Sequence, residues 1–71
     1  METIMIEIYI IGEKDNCEVY YIPPSMIPRE NEMIQMNDWR IQGNNKLKHF
    51  QVYEIEKVFD EKGLYLKIYT I

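Results

Sequence analysis

From Thr3 to Ile10 the apolar residues Ile4, Ile6, Ile8 and Ile10 alternate with Thr3, Met5, Glu7 and Tyr9. A period of two places the isoleucines on one face of a β-strand, whereas a helix would scatter them around its circumference. The same pattern closes the chain, where Leu64, Leu66 and Ile68 alternate with Tyr65, Lys67 and Tyr69. Both ends are therefore predicted to be sheet.

Between them the punctuation is frequent. Gly12 to Asn16 reads as a turn, with a permissive glycine and with Asp15 and Asn16 able to close it through their own side chains. Cys17 to Ile22 follows as a second strand, with Cys17, Val19 and Tyr21 expected on the inner face and Glu18, Tyr20 and Ile22 on the outer. The first two strands are expected to form an antiparallel hairpin. Pro23, Pro24 and Pro28 bracket a rigid connection, because proline fixes φ and lacks the amide proton that a central strand donates.

After a turn at Arg29 to Glu32, Met33 to Ile41 reads as a third strand, with Ile34 and Met36 on one face and Met33, Gln35, Asn37 and Trp39 on the other. Gly43, Asn44 and Asn45 tolerate positive φ and mark the next turn. His49 to Phe59 is the fourth strand, but its phase slips: Phe50 and Val52 share one face and Tyr53 and Ile55 the other. A slip of that kind predicts a bulge or a sharp bend. Asp60, Glu61, Lys62 and Gly63 form the last hairpin loop.

Composition agrees with the pattern: 12 Ile and 6 Tyr, with no Ala, suit pleated and half-buried surfaces better than helices. Five short strands, one Pro-rich connection and no helix predict a single all-β domain over residues 1–71, a small antiparallel SH3-like barrel. An OB-like barrel is the alternative, but the segment from Ile41 to Lys48 is too short and too rich in Gly and Asn for that fold's helix. The interior is expected to hold Ile4, Ile6, Ile8, Ile10, Val19, Tyr21, Ile34, Met36, Phe50, Val52, Leu64, Leu66 and Ile68.

The order of residues from Val19 onward carries a resemblance. An extended segment ending in prolines leads to Pro28, Arg29 and, three residues on, Glu32, followed by Ile34, Phe50, Val52, Tyr53, Ile55, Val58, Asp60, Gly63 and an alternating last strand. This resembles a loosely defined group of small phage and mobile-element proteins in which a Pro-Arg-x-Gly-Asp turn enters a five-stranded barrel. The chain departs from that turn with Asn31 for glycine and Glu32 for aspartate. The resemblance implies a barrel fold and a phage or mobile-element origin, and some phage proteins of this size inhibit host defence or host enzymes.

Charge and chemistry narrow the function. A formal charge of −4 disfavours nonspecific binding to a phosphate backbone. The single Cys17 forms no internal disulfide, which fits a reducing compartment. No apolar run approaches the roughly 20 residues of a membrane-spanning helix, and Glu2 and Glu7 interrupt any signal peptide. A cytoplasmic protein without a membrane partner is expected.

Enzyme chemistry finds few components. His49 and Ser25 are each the sole residue of their type, Ser25 has no glycine elbow, and a Cys/His zinc site lacks ligands. The three glycines are isolated turn residues. Glu54 and Glu56 share a strand face, which reads as solvated. No catalytic residue, metal or cofactor is expected.

What remains is a surface. Met5, Tyr9, Tyr65 and Tyr69 are expected to point outward, extended by Tyr20 and Trp39, with an acidic rim of Glu7, Glu18, Glu54 and Glu56. Tyr, Trp and Met together favour a protein contact. The expected partner is a protein, in particular a basic nucleic-acid-processing host protein drawn to the acidic rim, or a further copy of the chain in a homodimer or larger oligomer. A nucleic-acid-binding barrel is the alternative, with the aromatics stacking on bases and Lys46, Lys48, Lys57, Lys62, Lys67, Arg29 and Arg40 near phosphates. A structural phage component is a further one.

Overall fold

The computed structural model describes residues 2–13, 16–61 and 63–71. The described residues form five strands: β1 (Ile4–Ile10), β2 (Glu18–Ile22), β3 (Met33–Asn37), β4 (Leu47–Asp60) and β5 (Gly63–Thr70), with one 3-10 turn at Pro24–Met26. They make one curled sheet in the order β2-β1-β5-β4-β3, a half-barrel. The β1–β2, β4–β5 and β3–β4 pairs are antiparallel. The expectation of a wholly antiparallel barrel is corrected at the centre, where β1 and β5 run parallel. Alternation fixes which face a residue takes but says nothing of strand direction. The β1–β2 hairpin and the β3–β4–β5 meander meet along that one parallel seam.

The inner face carries the core. Ile6, Ile8 and Ile10 from β1, Met36 from β3, Phe50 and Val52 from β4, and Leu66 and Ile68 from β5 are buried together. Ile4, Ile22, Ile27, Ile34, Trp39 and Ile55 pack against them half-exposed. The period-two reading of β1 and β5 is thus correct for the central residues. Leu64 is a correction: at 44% exposure it lies opposite Phe59 near the tip of the β4–β5 hairpin, outside the buried core.

The second correction concerns β2. Its register pairs Ile4 with Ile22, Ile6 with Tyr20 and Ile8 with Glu18. Directly opposed residues share a face, so Ile22, Tyr20 and Glu18 turn inward, while Val19 and Tyr21, 46% and 67% exposed, turn outward. Val19-Tyr20-Tyr21-Ile22 is apolar on both faces, and only pairing with β1 selects one.

The phase slip in β4 is a register shift between Val52 and Glu54 that leaves Tyr53 as the extra residue. Val52 faces Thr70 inside and Ile55 faces Ile68 inside, so Ile55 lies opposite to the face expected for it. Thr70 is buried with its hydroxyl satisfied: Oγ1 donates to the Tyr9 carbonyl at 2.9 Å.

The turns behave as their residues dictate. Asn31 has a φ of +70° and Asn45 one of +60°, the left-handed region that asparagine tolerates among L-residues. At the Pro-Arg turn the Arg29 amide donates to the Glu32 carboxylate at 2.9 Å, and the turn docks on β4 through Asn31 N–H to Val52 O and Val52 N–H to Glu32 O. The third strand ends at Asn37, earlier than expected, because Asp38 starts a loop. Asp38 is buried, and its carboxylate accepts from the Arg40 backbone amide, Nε and Nη2 at 2.8–2.9 Å. The expected roles of Asp15 in the first turn and Lys62 in the last lie outside the described residues.

Candidate functional site

The outer face of the sheet is built by register. Along the parallel seam Met5 lies beside Tyr65, Glu7 beside Lys67 and Tyr9 beside Tyr69. The antiparallel neighbours extend each row: Tyr21 and Val58 flank the first, Val19 and Glu56 the second, and Glu54 stands next to Tyr69 in the third. Inward isoleucines at even positions of β1 oblige Met5, Glu7 and Tyr9 to face away, and Leu66 and Ile68 do the same for Tyr65, Lys67 and Tyr69.

At one end of this face the rings touch. Tyr9 and Tyr69 stack with centroids 5.3 Å apart and planes at 22°, and Tyr53 leans on Tyr69 at 6.2 Å. Such offset pairs add to simple burial. Lys67 Nζ stands 6.0 Å from the Tyr9 ring, at the outer reach of a cation–π contact. The phenols are anchored by acids: Tyr9 Oη–H donates to Glu7 Oε1 at 2.7 Å and Tyr69 Oη–H to Glu56 Oε1 at 3.3 Å. Both phenols ionise above their ordinary range. Burial is the leading cause in each, reinforced for Tyr9 by its bonds to Glu7 and Cys17, and for Tyr69 by the charge of Glu56 and the bond to it. They remain neutral donors at physiological pH. A hollow of about 350 Å³ opens beside the stack, between Tyr9, Tyr53, Tyr69 and Lys67 on one side and the Ile11–Glu13 turn on the other.

Of the residues expected at this surface, Met5, Tyr9, Tyr65, Tyr69, Glu7 and Glu56 are brought together, with Glu54 at the β4 bulge beside them. Tyr20, Glu18 and Trp39 are not. Tyr20 and Glu18 sit on the inner face of β2, where burial and the Glu18 charge push the Tyr20 phenol up. Trp39 packs against the core from the β3–β4 loop. Sequence reasoning missed Tyr53 and Tyr21. Tyr53 follows the inward Val52 and faces the outer stack by ordinary alternation, which was the signal for it; the alternation within β2 gave none for Tyr21.

Ser25 is exposed on the 3-10 turn and His49 is exposed on β4 opposite Gln35. Among the described residues, no group of His, Cys, Asp and Glu is arranged to hold a metal ion. The cations of the nucleic-acid alternative are spread over several elements. Arg40 is bonded to Asp38, Lys67 lies in register between Glu7 and Glu56, and Lys62 lies outside the described residues. No helix is long and apolar enough to cross a membrane among the described residues.

A second feature lies on the inner side, where the half-barrel stays open. A cleft of about 420 Å³ separates β2 from β3, floored by Ile6 and Ile8 and walled by Tyr20 and Ile22 on one side and Ile34 and Met36 on the other. Compared with protein-family models, curated proteins and solved structures, the chain matches none.

Proposed function

We propose that the protein is a non-enzymatic, cytoplasmic protein-binding module whose contact surface is the outer tyrosine face, and that it serves as a phage-encoded inhibitor of a host defence system or host enzyme. The observation that supports this reading is the β1–β5 register, which sets Met5 beside Tyr65 and Tyr9 beside Tyr69 on one face, with the Glu7–Lys67 pair between them and Tyr21 and Tyr53 at the margins. Large, rigid side chains with one polar tip are the residues on which protein interfaces concentrate their energy. Glu7, Glu54 and Glu56 give the face an acidic border suited to a basic partner. The finer description of the sheet as an SH3-like barrel belongs to the same reading, and rests on the number of short strands and the Pro-rich connection.

The test compares tagged wild type with a Tyr9→Ala/Tyr69→Ala variant in bacterial lysate, with quantitative mass spectrometry of what each retains. Truncating two central tyrosines is expected to weaken a contact on this face by about tenfold or more. Proteins held by the wild type should therefore be lost from the variant while its circular dichroism is unchanged. Equal retention by both would overturn the reading. Light scattering on the pure protein distinguishes the structural alternative: a dimer or ring that dissociates in the variant assigns the face to copies of the chain itself.

A further inference from the structure

The open side of the half-barrel has a property that its hydrogen-bond pattern fixes. On β4, the Gln51 amide and carbonyl bond Ile71 on the β5 side, whereas Val52 bonds Asn31 and Glu32 on the β3 side. Backbone groups alternate in direction along a strand, so Phe50 and Lys48 also serve β3, through their partners Ile34 and Met36. Met33, Gln35 and Asn37 are left with amides and carbonyls directed at the cleft. The same argument holds for β2. The Ile11 amide bonds Thr70 on the β5 side, which assigns odd positions of β1 to β5 and even ones to β2. Ile4, Ile6 and Ile8 thus engage Ile22, Tyr20 and Glu18, and Val19 and Tyr21 direct their backbone groups outward.

The β3 edge lines the apolar cleft through Gln35 and Asn37, and the β2 edge borders its opposite wall, which Tyr20 and Ile22 form; each edge carries a row of backbone donors and acceptors that has no partner among the described residues. Their directions are opposed, since β3 is antiparallel to β4, β4 to β5 and β2 to β1, while β1 and β5 are parallel. Protein edges are commonly blunted by lysine, an internal proline or a bulge, and neither Glu18-Val19-Tyr20-Tyr21-Ile22 nor Met33-Ile34-Gln35-Met36-Asn37 contains a lysine or a proline. One end of the cleft is closed by Met26, Pro28 and Glu32 from the Pro-rich connection, and Leu47 lines it as well.

We infer that this cleft binds an extended segment of another protein, apolar at alternate positions and carrying a lysine or arginine, as a sixth strand between β2 and β3. Alternate side chains of such a segment would meet Ile6, Ile8, Ile22 and Ile34, and its basic residue would meet Glu18 or Glu32, the carboxylates at the inner face of β2 and at the closed end. β3 spans about 17 Å at roughly 3.3 Å per residue, which limits the paired part to about five residues. The inference is independent of the outer tyrosine face.

The experiment uses the full chain, immobilised to select from a random peptide library, followed by amide hydrogen exchange with and without the enriched peptides. In the free protein the amides of Val19, Tyr21, Gln35 and Asn37 should exchange rapidly while those of Tyr20, Ile34 and Met36 are protected. Bound peptides should alternate apolar residues, contain Lys or Arg, and protect the first group. Gln35→Pro removes an edge donor that the fold itself does not use and should weaken the peptides about tenfold or more, whereas Tyr9→Ala/Tyr69→Ala should leave them unaffected. Absence of enrichment, enriched peptides that leave those amides unprotected, peptides lost with the tyrosine variant, or edge protection by dimerisation alone would each overturn the inference. The exchange data decide the matter on wild-type protein should Gln35→Pro fail to fold.

Discussion

Leu64 and Ile68 occupy equivalent positions in an alternating strand, yet their packing predicts different costs when they are truncated. Ile68 has no exposed surface and stands in register between Ile8 and Ile55. Ile68→Ala removes roughly three methylene equivalents at about 0.8 kcal/mol each, and the void left at the centre of the sheet raises the total to about 3–4 kcal/mol. Leu64 is 44% exposed beside the hairpin tip. Leu64→Ala therefore loses about half of that transfer term and encloses no cavity, for about 1 kcal/mol. A chain of 71 residues has a total stability of roughly 4–10 kcal/mol, so the first change removes much of it. Urea unfolding followed by the fluorescence of Trp39 gives the comparison, since that ring packs against the core. With a slope near 1 kcal/mol per molar, the midpoint should fall by about 3 M for Ile68→Ala and about 1 M for Leu64→Ala. Ile68→Val, expected near 1 kcal/mol, keeps the comparison measurable if the alanine variant is too unstable. A Leu64→Ala cost equal to or above that of Ile68→Ala would refute the placement of the core.

Thr70→Val keeps the shape of a fully buried side chain but deletes the donor to the Tyr9 carbonyl, and should cost about 1 kcal/mol in the same urea assay. The side-chain bonds from Arg40 hold the Asp38 carboxyl below its ordinary range, against the opposing effect of burial. A lowered folded value means stability that is present above the unfolded value of about 3.9 and lost as pH falls through the folded one. Asp38→Asn should therefore flatten the loss of stability below about pH 4, as read by thermal melts across pH. The phenols of Tyr9, Tyr20 and Tyr69 are raised, so the stability they contribute is complete below about pH 10 and lost above it. Absorbance titration should show late-ionising tyrosines, with one fewer in Tyr9→Phe.

The sequence made the faces of β1 and β5 legible because their alternation is clean: isoleucine or leucine at every second position, with Glu7, Lys67 and the tyrosines between. It also betrayed the β4 bulge through the slip of phase along that strand, although it assigned Ile55 to the wrong face. β2 was not legible, because its apolar residues occupy both faces and its inward set is chosen by pairing with Ile4, Ile6 and Ile8. The parallel seam was hidden for a related reason, as pairing between the two ends of the chain leaves no local trace. The outward direction of Tyr9 and Tyr69 could thus be read, but not their contact, which depends on that seam. Trp39 shows the limit of residue type alone: it looked like an interface aromatic and is a cover for the core.

The outer tyrosine face is the centre of the functional account, and hydroxyl-radical footprinting of the protein with a partner retained from lysate tests it most directly. Oxidation is read residue by residue on the free and bound chain. The account predicts that Met5, Tyr65, Tyr69 and Tyr21 lose reactivity together on binding, while the exposed Phe59 at the hairpin tip, off the proposed face, keeps its own. A partner that leaves Met5, Tyr65, Tyr69 and Tyr21 as reactive as in the free protein would contradict it.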